Sequence, residues 1–228
     1  MNTLSAPSPS TSLPILTFEE TALSPSLGYV FDARWLDPYE SIVSMLWKFA
    51  WINGLAGHQV VTHVARRTVD PYEGIAATVD DIDVRRVARS LGVTLRTVRA
   101  ACRPGCPVLR FCSRCMARGY HGVVHQLRTE ERCPVHSCAL ASACRRCGAS
   151  SAWRLDARLL DAPFDCAQCR RRYGCYGAAG FVHRKPLSRF ARMALTCTFL
   201  GVGVTPISRL SRYWRDSDTN ASRPRPRP

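Results

Sequence analysis

The sequence lacks an apolar run long enough to span a membrane, which takes about 20 residues, and it has no basic residue before Arg34. A secretory signal peptide begins with a positively charged region, so none is expected here. The predicted location is therefore the cytoplasm, with no membrane partner. Charged residues make up 21% of the 228 residues and hydrophobic residues 46%, a balance that allows a buried core and argues against a wholly disordered chain.

Motifs that mark common catalytic sites are also missing. The sequence contains no glycine-rich phosphate-binding loop, no paired-carboxylate motif and no context that marks an activated cysteine or histidine. We therefore predict that the protein is not an enzyme.

Lysine is nearly missing, and the positive charge is unevenly distributed. Only Lys48 and Lys185 are lysines; the other 30 basic residues are arginines. The first 100 residues carry 9 basic and 10 acidic side chains, a net charge of −1, whereas the remainder carries 23 and 7, a net charge of +16. A strongly basic region favours a nucleic acid or another polyanion as partner, without specifying a sequence.

Composition and hydrophobic periodicity divide the chain into five predicted segments. The first is rich in Ser, Thr and Pro and is predicted to be disordered. The segments are a disordered stretch 1–30, a helical domain 31–107, a cysteine-rich region 108–178, a C-terminal helical segment 179–215 and a disordered basic, proline-rich tail 216–228.

Apolar residues at three- and four-residue steps predict the main helices. The first is predicted to begin at Pro38, with Asp37 as its cap and Glu40 reaching back to that cap. The predicted helices run from Pro38 to about Ile52, from Gln59 to Arg67 and from Leu187 to about Leu200. The apolar face of the last helix is predicted to pack against the cysteine-rich region rather than to dock a partner, and its residues are Leu187, Phe190, Ala191, Ala194 and Leu195.

Residues 80–101 predict two short helices around a turn. Gly92 can take a positive φ in the turn, and Thr94 can cap the second helix. Ala88, Gly92 and Val98 stand at offsets 0, +4 and +10, a spacing similar to that of a helix-turn-helix motif. The residues that would contact DNA are Thr94, Arg96, Thr97 and Arg99. A packing or protein-contact role for the same helices stays open.

The strongest signal is a repeated cysteine pattern. Two residues between ligands let a tight turn direct both side chains at one ion, and a second pair follows after seventeen or eighteen residues. Four protein ligands leave no open position for water or substrate, so we predict two structural zinc ions. The predicted ligands are Cys112, Cys115, Cys133 and His136 for the first ion, and Cys144, Cys147, Cys166 and Cys169 for the second.

The remaining cysteines and histidines are predicted not to be ligands. Cys138 lies two residues after His136 and could compete for the first ion. His121 and His125 could in principle form a site of the C₂H₂ type with Cys112 and Cys115. His121 follows Cys115 too closely for such a finger, which needs about twelve intervening residues. The thiols predicted to be free are Cys102, Cys106, Cys138, Cys175 and Cys197.

The ligand order also resembles that of RING domains, in which the first and third ligand pairs share an ion. Seven residues separate His136 from Cys144, where a RING has about two or three. Sequential fingers are therefore favoured over an interleaved arrangement.

The run LRFCSRCMARGYHGVVHQLRTEERCPVHSCALASACRRCG, followed by PFDCAQC, resembles the zinc-finger region of the TniQ/TnsD family of bacterial transposition proteins. The stretch YESIVSMLWKFAWINGLAG is similar to that family's N-terminal helix, in which Glu-Ser precedes an amphipathic helix that ends in Asn-Gly-Leu. The similarity covers about residues 35–175. The matching zinc-region residues are Leu109, Phe111, Cys112, Cys115, Gly119, Tyr120, Cys133, Pro134, His136, Leu140, Cys144, Cys147 and Gly148.

The resemblance implies a target-selection adaptor that binds DNA or a DNA-bound complex and recruits an ATPase regulator of the transposase. The larger C-terminal DNA-reading region of longer relatives has little counterpart here, so DNA binding by this chain alone is expected to be weak or non-specific. Further phosphate contacts are predicted at Arg170, Arg171 and Arg172.

The predicted fold is mainly α with small zinc-stabilised modules: a helix-turn-helix-like N-terminal domain followed by two tandem zinc-ribbon or treble-clef-like fingers. Two alternative functions stay open. A zinc-containing helix-turn-helix transcription regulator would dimerise and recognise half-sites. A RING-like ubiquitin ligase would need interleaved ligands.

Overall fold

The computed structural model describes residues 28–174 and 185–201. The predicted segments 1–30 and 179–215 lie largely outside this part of the chain, and the tail 216–228 and Cys175 lie wholly outside it. Within the described residues the fold is mainly helical. The helices are α1 (Ile42–Asn53), α2 (Gly57–Val64), α3 (Val84–Ser90), α4 (Leu95–Ala101), α5 (Ser113–Ala117), α6 (Ala157–Leu160) and α7 (Arg189–Leu200), with strands β1 (Ile75–Ala76) and β2 (Arg154–Leu155).

Helix α1 begins four residues later than the sequence predicted. Ser41 is its cap, and its hydroxyl accepts the backbone N–H of Ser44 at 3.3 Å. The predicted contact of Glu40 with the backbone N–H of Asp37 is present at 2.9 Å, but no helix starts there. Tyr39 has a φ of +58°, and its carbonyl accepts a hydrogen bond from a distant segment, so long-range pairing replaces the predicted first turn.

Helix α2 is displaced towards the N-terminus from its predicted span and ends at Val64. Ala65 forms an antiparallel bridge with Ile82, and the N–H of Arg66 donates to the carbonyl of Asp81 at 2.9 Å. The chain is therefore extended where the periodicity predicted another helical turn.

Helices α3 and α4 occupy the segment predicted to hold two short helices. Gly92, between them, has a φ of +60°, and Thr94 caps α4 by accepting the N–H of Thr97 at 3.2 Å. Val87, Leu91 and Val98 are buried at this junction. The local spacing of turn, cap and apolar residues was thus sufficient to predict both helices.

A long-range contact that local patterns did not indicate joins the two halves of the chain. Strands β1 and β2 pair antiparallel, with Ile75 opposite Leu155 and Ala76 opposite Arg154. The indole N–H of Trp47, a fully buried side chain of α1, donates to the carbonyl of Leu159 in α6 at 2.7 Å. One apolar core consequently runs from α1–α4 into the second half of the cysteine-rich region.

A smaller apolar cluster surrounds the first half of the cysteine-rich region. It includes Tyr120 and Val124, and it is covered by Leu187, just before α7, together with Ala191 and Leu195 of α7. The predicted packing of the last helix is correct for these three residues, whereas Phe190 lies on the exposed side. No helix within the described ranges has the length and apolar character of a membrane span.

Candidate metal centres

Three of the four ligand pairs are built on the same backbone turn. In each, the N–H of the residue after the second ligand donates to the carbonyl of the first cysteine, at 2.7–2.9 Å, and that residue has a positive φ. The first cysteine's own N–H donates to a carbonyl five residues later, at 2.8 Å. These turns point both ligand side chains to one side. The residues with positive φ are Ser137, Gly148 and Arg170.

The remaining pair is presented by a helix. Cys112 precedes α5 and Cys115 lies within it, and the N–H of Met116 donates to the carbonyl of Cys112 at 2.9 Å. One helical turn therefore brings these two sulfurs to the same side.

The first metal centre brings together the four ligands predicted for it. All four ligand atoms lie within 4.8 Å of one another. Nδ1 of His136 lies 3.4 Å from Cys112 Sγ, 3.3 Å from Cys115 Sγ and 3.6 Å from Cys133 Sγ, and the sulfurs of Cys115 and Cys133 are 3.7 Å apart. The three cysteines are buried, and His136 is half-buried.

The second metal centre contains the other four predicted ligands. The sulfurs of Cys144 and Cys169 are 3.7 Å apart, as are those of Cys147 and Cys166. Cys144 and Cys166 are buried within the main core, whereas Cys147 is exposed. This centre therefore has one edge open to solvent, in contrast to the first.

These separations fit a tetrahedral zinc ion. With Zn–S bonds of about 2.3 Å and Zn–N bonds of about 2.0–2.1 Å, two tetrahedral sulfurs lie about 3.8 Å apart, and nitrogen and sulfur about 3.6 Å apart. A disulfide would need about 2.05 Å. All eleven cysteines of the described residues are free. Each cluster can thus hold one ion, for which zinc is a plausible metal.

The ligands of the first centre shift one another's pKa values. Hydrogen bonds from Cys112 and Cys115 lower the pKa of Cys133, while the neighbouring sulfurs raise that of Cys115. Burial opposes a charged imidazole, but the thiolates of Cys112 and Cys133 outweigh it and raise the pKa of His136 to about 9. Metal ligation requires thiolates and a neutral imidazole, so cation binding here must release protons.

The grouping of ligands is sequential. Cys112 and Cys115 meet Cys133 and His136, rather than the pair at Cys144 and Cys147 that a RING arrangement requires. The interleaved alternative is therefore wrong for this chain.

The cysteines predicted to be free lie outside the two ligand groups where they are described. Burial raises the pKa of Cys102 to about 12, which makes its thiol unreactive. Cys138 lies at the edge of the first centre, with its sulfur 3.3 Å from Cys112 Sγ. It is a neighbour of one ligand rather than a member of the four-atom group.

A buried histidine that the sequence argument considered only as a possible ligand contacts the first centre. His125 Nδ1 accepts the N–H of Gly122 at 3.2 Å, so Nε2 carries the proton and points at Cys133 Sγ, 3.7 Å away. Burial lowers the pKa of His125 to about 4, which keeps the ring a neutral donor at neutral pH. Such a donor stabilises the thiolate and orients the ligand. The spacing of His125 from Cys133 gave no signal of this contact.

A second buried histidine joins the segment between the first two ligand pairs to the start of α1. His121 Nε2 donates to the carbonyl of Arg110 at 2.7 Å, so Nδ1 accepts the hydroxyl of Ser41, also at 2.7 Å. The N–H of Ser41 donates to the carbonyl of His121 at 2.8 Å. Burial lowers the pKa of His121 to about 3. The cap of α1 is therefore fastened to the segment between the first two ligand pairs.

The residue before this cap forms a buried ion pair. Glu40 and Lys48 have fully buried side chains and contact each other directly. Ser44 donates to Glu40 Oε1 at 2.6 Å, and Lys48 also donates to the carbonyl of Trp35 at 2.8 Å. Hydrogen bonds to both partners are what make a buried charge pair tolerable. The Glu-Ser dipeptide noted in the sequence thus holds the start of α1 in place.

The residues predicted to contact DNA lie on two separate surface segments. Thr94, Arg96 and Arg99 are exposed and Thr97 is half-buried on α4, while Arg170, Arg171 and Arg172 are exposed after the last ligand. The guanidinium of Arg170 donates to the carbonyl of Asp161 at 2.5 Å. Their exposure leaves them accessible, but it does not identify a partner.

Comparison with known proteins yields no relative. No protein-family model, curated protein or solved structure matches the chain.

Proposed function

We propose that this chain is a zinc-binding adaptor, similar to the TniQ/TnsD family, that helps select target DNA or bridges a DNA-bound complex to the transposition machinery. The observation that carries the proposal is the pair of closed four-ligand centres formed by the C-x-x-C…C-P-x-H and C-x-x-C…C-x-x-C motifs. Ser41 of the Glu-Ser dipeptide that precedes α1 hydrogen-bonds to His121, which lies between the first two ligand pairs in the sequence. This contact supports treating the two parts of the resemblance as one unit.

The finer architecture belongs to the same proposal. Helices α3 and α4 form a helix-turn-helix-like unit, and the two centres form sequential zinc-ribbon or treble-clef-like fingers. The turn at Gly92 and the cap at Thr94 support the first assignment, and the repeated ligand turns support the second.

The metal ions have a structural role in this proposal. Bound zinc would be held in the first centre by Cys112, Cys115, Cys133 and His136, and in the second by Cys144, Cys147, Cys166 and Cys169, and it supplies cross-links that a small core needs. Four protein donors at each centre leave no position for a substrate. The chain's own contribution is to display basic and apolar surfaces on a rigid frame.

The proposed partners are DNA, bound weakly or without sequence preference, and a regulator ATPase of a transposase. The charge of +16 on residues 101–228 supports an electrostatic contact with DNA phosphates. The proposal places the protein in the cytoplasm, at the nucleoid when DNA is bound, and it involves no catalysis by this chain.

A DNA titration tests the first half of this proposal. The zinc-loaded full chain is titrated against unrelated duplexes at several salt concentrations by fluorescence anisotropy, beside an Arg96→Ala/Arg99→Ala variant. Affinity that falls steeply with salt, and falls again in the variant, is the expected result. Arg66→Ala/Arg67→Ala, two exposed arginines at the end of α2, is the matched control. An absence of binding at physiological salt would exclude direct DNA contact.

A second titration tests the adaptor role. A transposition regulator ATPase is titrated with the chain, with and without DNA, and complex formation is followed by light scattering. The adaptor role predicts a tight complex that does not require a particular DNA sequence. If no complex forms under either condition, the adaptor role is wrong.

A zinc-containing transcription regulator is the second candidate. It is favoured by the exposed residues of α4, where Arg96 and Arg99 flank the half-buried Thr97. This function predicts a dimer that binds one duplex sequence much more tightly than others. A selection of binding sites from random duplexes separates the two functions, because only the regulator yields one preferred half-site.

A further inference from the structure

Helix α7 carries apolar side chains on two opposite faces. Ala191 and Leu195 point inwards and, with Leu187 just before the helix, cover the first metal centre. At 100° per residue, positions 193 and 200 lie within about 20° of the direction opposite this face, position 197 about 40° and position 190 about 60° from it. The four positions repeat at the 3–4–3 spacing of a helical seam. All four positions hold apolar or weakly polar side chains. We call the set of Phe190, Met193, Cys197 and Leu200 the α7 stripe.

The α7 stripe is accessible in the described structure. Phe190 is 55% exposed, Met193 45% and Leu200 63%, and Cys197 is partly exposed beside them. Exposed large hydrophobic residues are few elsewhere in the described chain: four others are spread over residues 51–95, whereas these three lie on one helix of twelve residues. A contiguous apolar row of this kind marks an interaction site more often than scattered single residues do.

The charged residues of α7 and of the described segment just before it are all basic. Arg189 and Arg192 are exposed along one edge of the stripe, and Lys185 is exposed just before the helix. The helix sequence RFARMALTCTFL contains no acidic residue. An apolar seam bordered by cations is complementary to an amphipathic helix whose own seam is bordered by carboxylates.

We propose that the α7 stripe docks an acidic amphipathic helix of a partner protein. The partner's apolar residues, at matching helical spacing, cover Phe190, Met193 and Leu200, and its carboxylates pair with Arg189 and Arg192. A second copy of this chain fits less well, because its α7 offers no carboxylate to those arginines. The inference goes beyond the proposed adaptor role, since it depends neither on DNA binding nor on transposition.

The test uses the zinc-loaded full chain and three synthetic peptides. The first has leucines at helical seam spacing and glutamates on the other positions; the second replaces every glutamate with lysine; the third is a scrambled form of the first. Binding is measured by fluorescence anisotropy at low and physiological salt. The acidic amphipathic peptide is expected to bind at least about tenfold more tightly than the other two.

Two variants assign that binding to the α7 stripe. Phe190→Ser/Met193→Ser removes apolar area, Arg189→Ala/Arg192→Ala removes both positive charges together with their aliphatic stems, and each is expected to weaken binding about tenfold or more. Tyr72→Ser, at a residue 60% exposed in another part of the chain, is the matched control and should bind as the wild type does. Zinc content, measured on every variant, shows that the first centre is retained.

Three outcomes overturn the proposal. One is that the acidic peptide does not bind, and another is that it binds no better than the lysine or scrambled peptide. The third is a concentration-dependent dimer of the wild type that Phe190→Ser/Met193→Ser converts to a monomer in sedimentation experiments. That result would assign the stripe to a second copy of the chain.

Discussion

At the scale of single residues, a cysteine is a metal ligand only if its sulfur lies with the other ligand atoms around one common point. Cys138 is as close in sequence to His136 as many ligands are to each other, and its sulfur contacts Cys112. Cys138 is nevertheless not one of the four residues whose ligand atoms lie together around a common centre. Substitution of Cys133 and of Cys138 should therefore have different effects.

Cys133→Ser is expected to reduce bound zinc from two ions to one per chain, because it removes one of four donors at the first centre. Cys138→Ser should retain two. Metal content of the purified proteins, measured by mass spectrometry, distinguishes them. Loss of an ion in Cys138→Ser would mean that this thiol is a ligand after all.

His125 affects the first centre without belonging to it. His125→Phe is expected to weaken metal binding there about 10- to 100-fold, because the N–H that stabilises the Cys133 thiolate is lost. His125→Gln, which keeps a donor, should recover part of the affinity. Competition with a chelator gives the affinities, and His58→Phe, at an exposed residue of α2, is the control. Equal affinities in His125→Phe and wild type would contradict the assigned contact.

The two buried histidines should make stability fall with acidification. In the folded state the pKa of His121 is about 3 and that of His125 about 4, whereas an unperturbed histidine has a pKa of 6.5. Below pH 6.5 the unfolded chain binds more protons than the folded one, so the free energy of unfolding decreases as the pH falls towards about 4. Each histidine contributes up to about 1.4 kcal/mol per pH unit.

Urea unfolding between pH 5 and 8, at saturating zinc, measures this slope. Metal content is followed in the same samples, because protons also compete with zinc for the ligands. His121→Asn should reduce the slope, since one of the two titrating groups is gone. An unchanged slope in that variant would show that the His121 ring is not buried as a neutral base.

At the scale of local elements, the ligand turns depend on a backbone conformation that most side chains disfavour. Gly148 has a φ of +72° and follows the third ligand pair, whereas Arg170 occupies the equivalent position after the fourth with a φ of +58°. A residue with a Cβ atom costs about 1–2 kcal/mol in this region. The two turns therefore allow a comparison between replacing glycine with a larger residue at position 148 and replacing arginine with glycine at position 170.

Gly148→Val is expected to lower the free energy of unfolding of the zinc-loaded protein by about 1–2 kcal/mol, because a β-branched residue must adopt the left-handed region. Arg170→Gly should be neutral or slightly stabilising for the same reason. Thermal unfolding of both variants at saturating zinc provides the comparison. If the Gly148→Val protein is as stable as the wild type, the turn does not require a positive φ at this position.

Local elements were predicted well where the signal was itself local. Caps, turns and apolar spacing indicated α3, α4 and α7, and the two-residue gaps between cysteines indicated the ligand pairs. The start of α1 was predicted wrongly, since the N–H of Ser41 and the carbonyl of Tyr39 pair with His121 and Val123. A capping pattern covers only a few neighbouring residues, so it cannot predict hydrogen-bond partners about 80 residues away.

At the scale of the whole molecule, the second metal centre and the helices share one core. Leu155, Leu159 and Phe164, which lie between its two ligand pairs, are buried with residues of α1 and α2. An ion bound at this centre would therefore stabilise more than its own turns. The helical part and the fingers should lose structure together.

Removal of both ions with a chelator is expected to lower the melting temperature of the whole chain in one transition. Amide protons of α1 and α2 should also exchange faster, because the core they share with the second centre is loosened. Hydrogen exchange with and without zinc measures this by segment. If α1 and α2 keep their protection without metal, the helical part folds independently of the fingers.

Residue types and short spacings were enough to predict the two ligand sets, the helical character of the chain and the concentration of positive charge in its second half. The charge follows from residue type alone. The ligand turns and the helix faces follow from residues a few positions apart, because local backbone geometry brings such residues to one side. Three contacts became visible only in the folded chain: the pairing of β1 with β2, the contact of His125 with Cys133 and the hydrogen bond of His121 with Ser41 at the start of α1. These contacts join segments through burial in a common core, and burial depends on how the whole chain packs rather than on any short pattern within it.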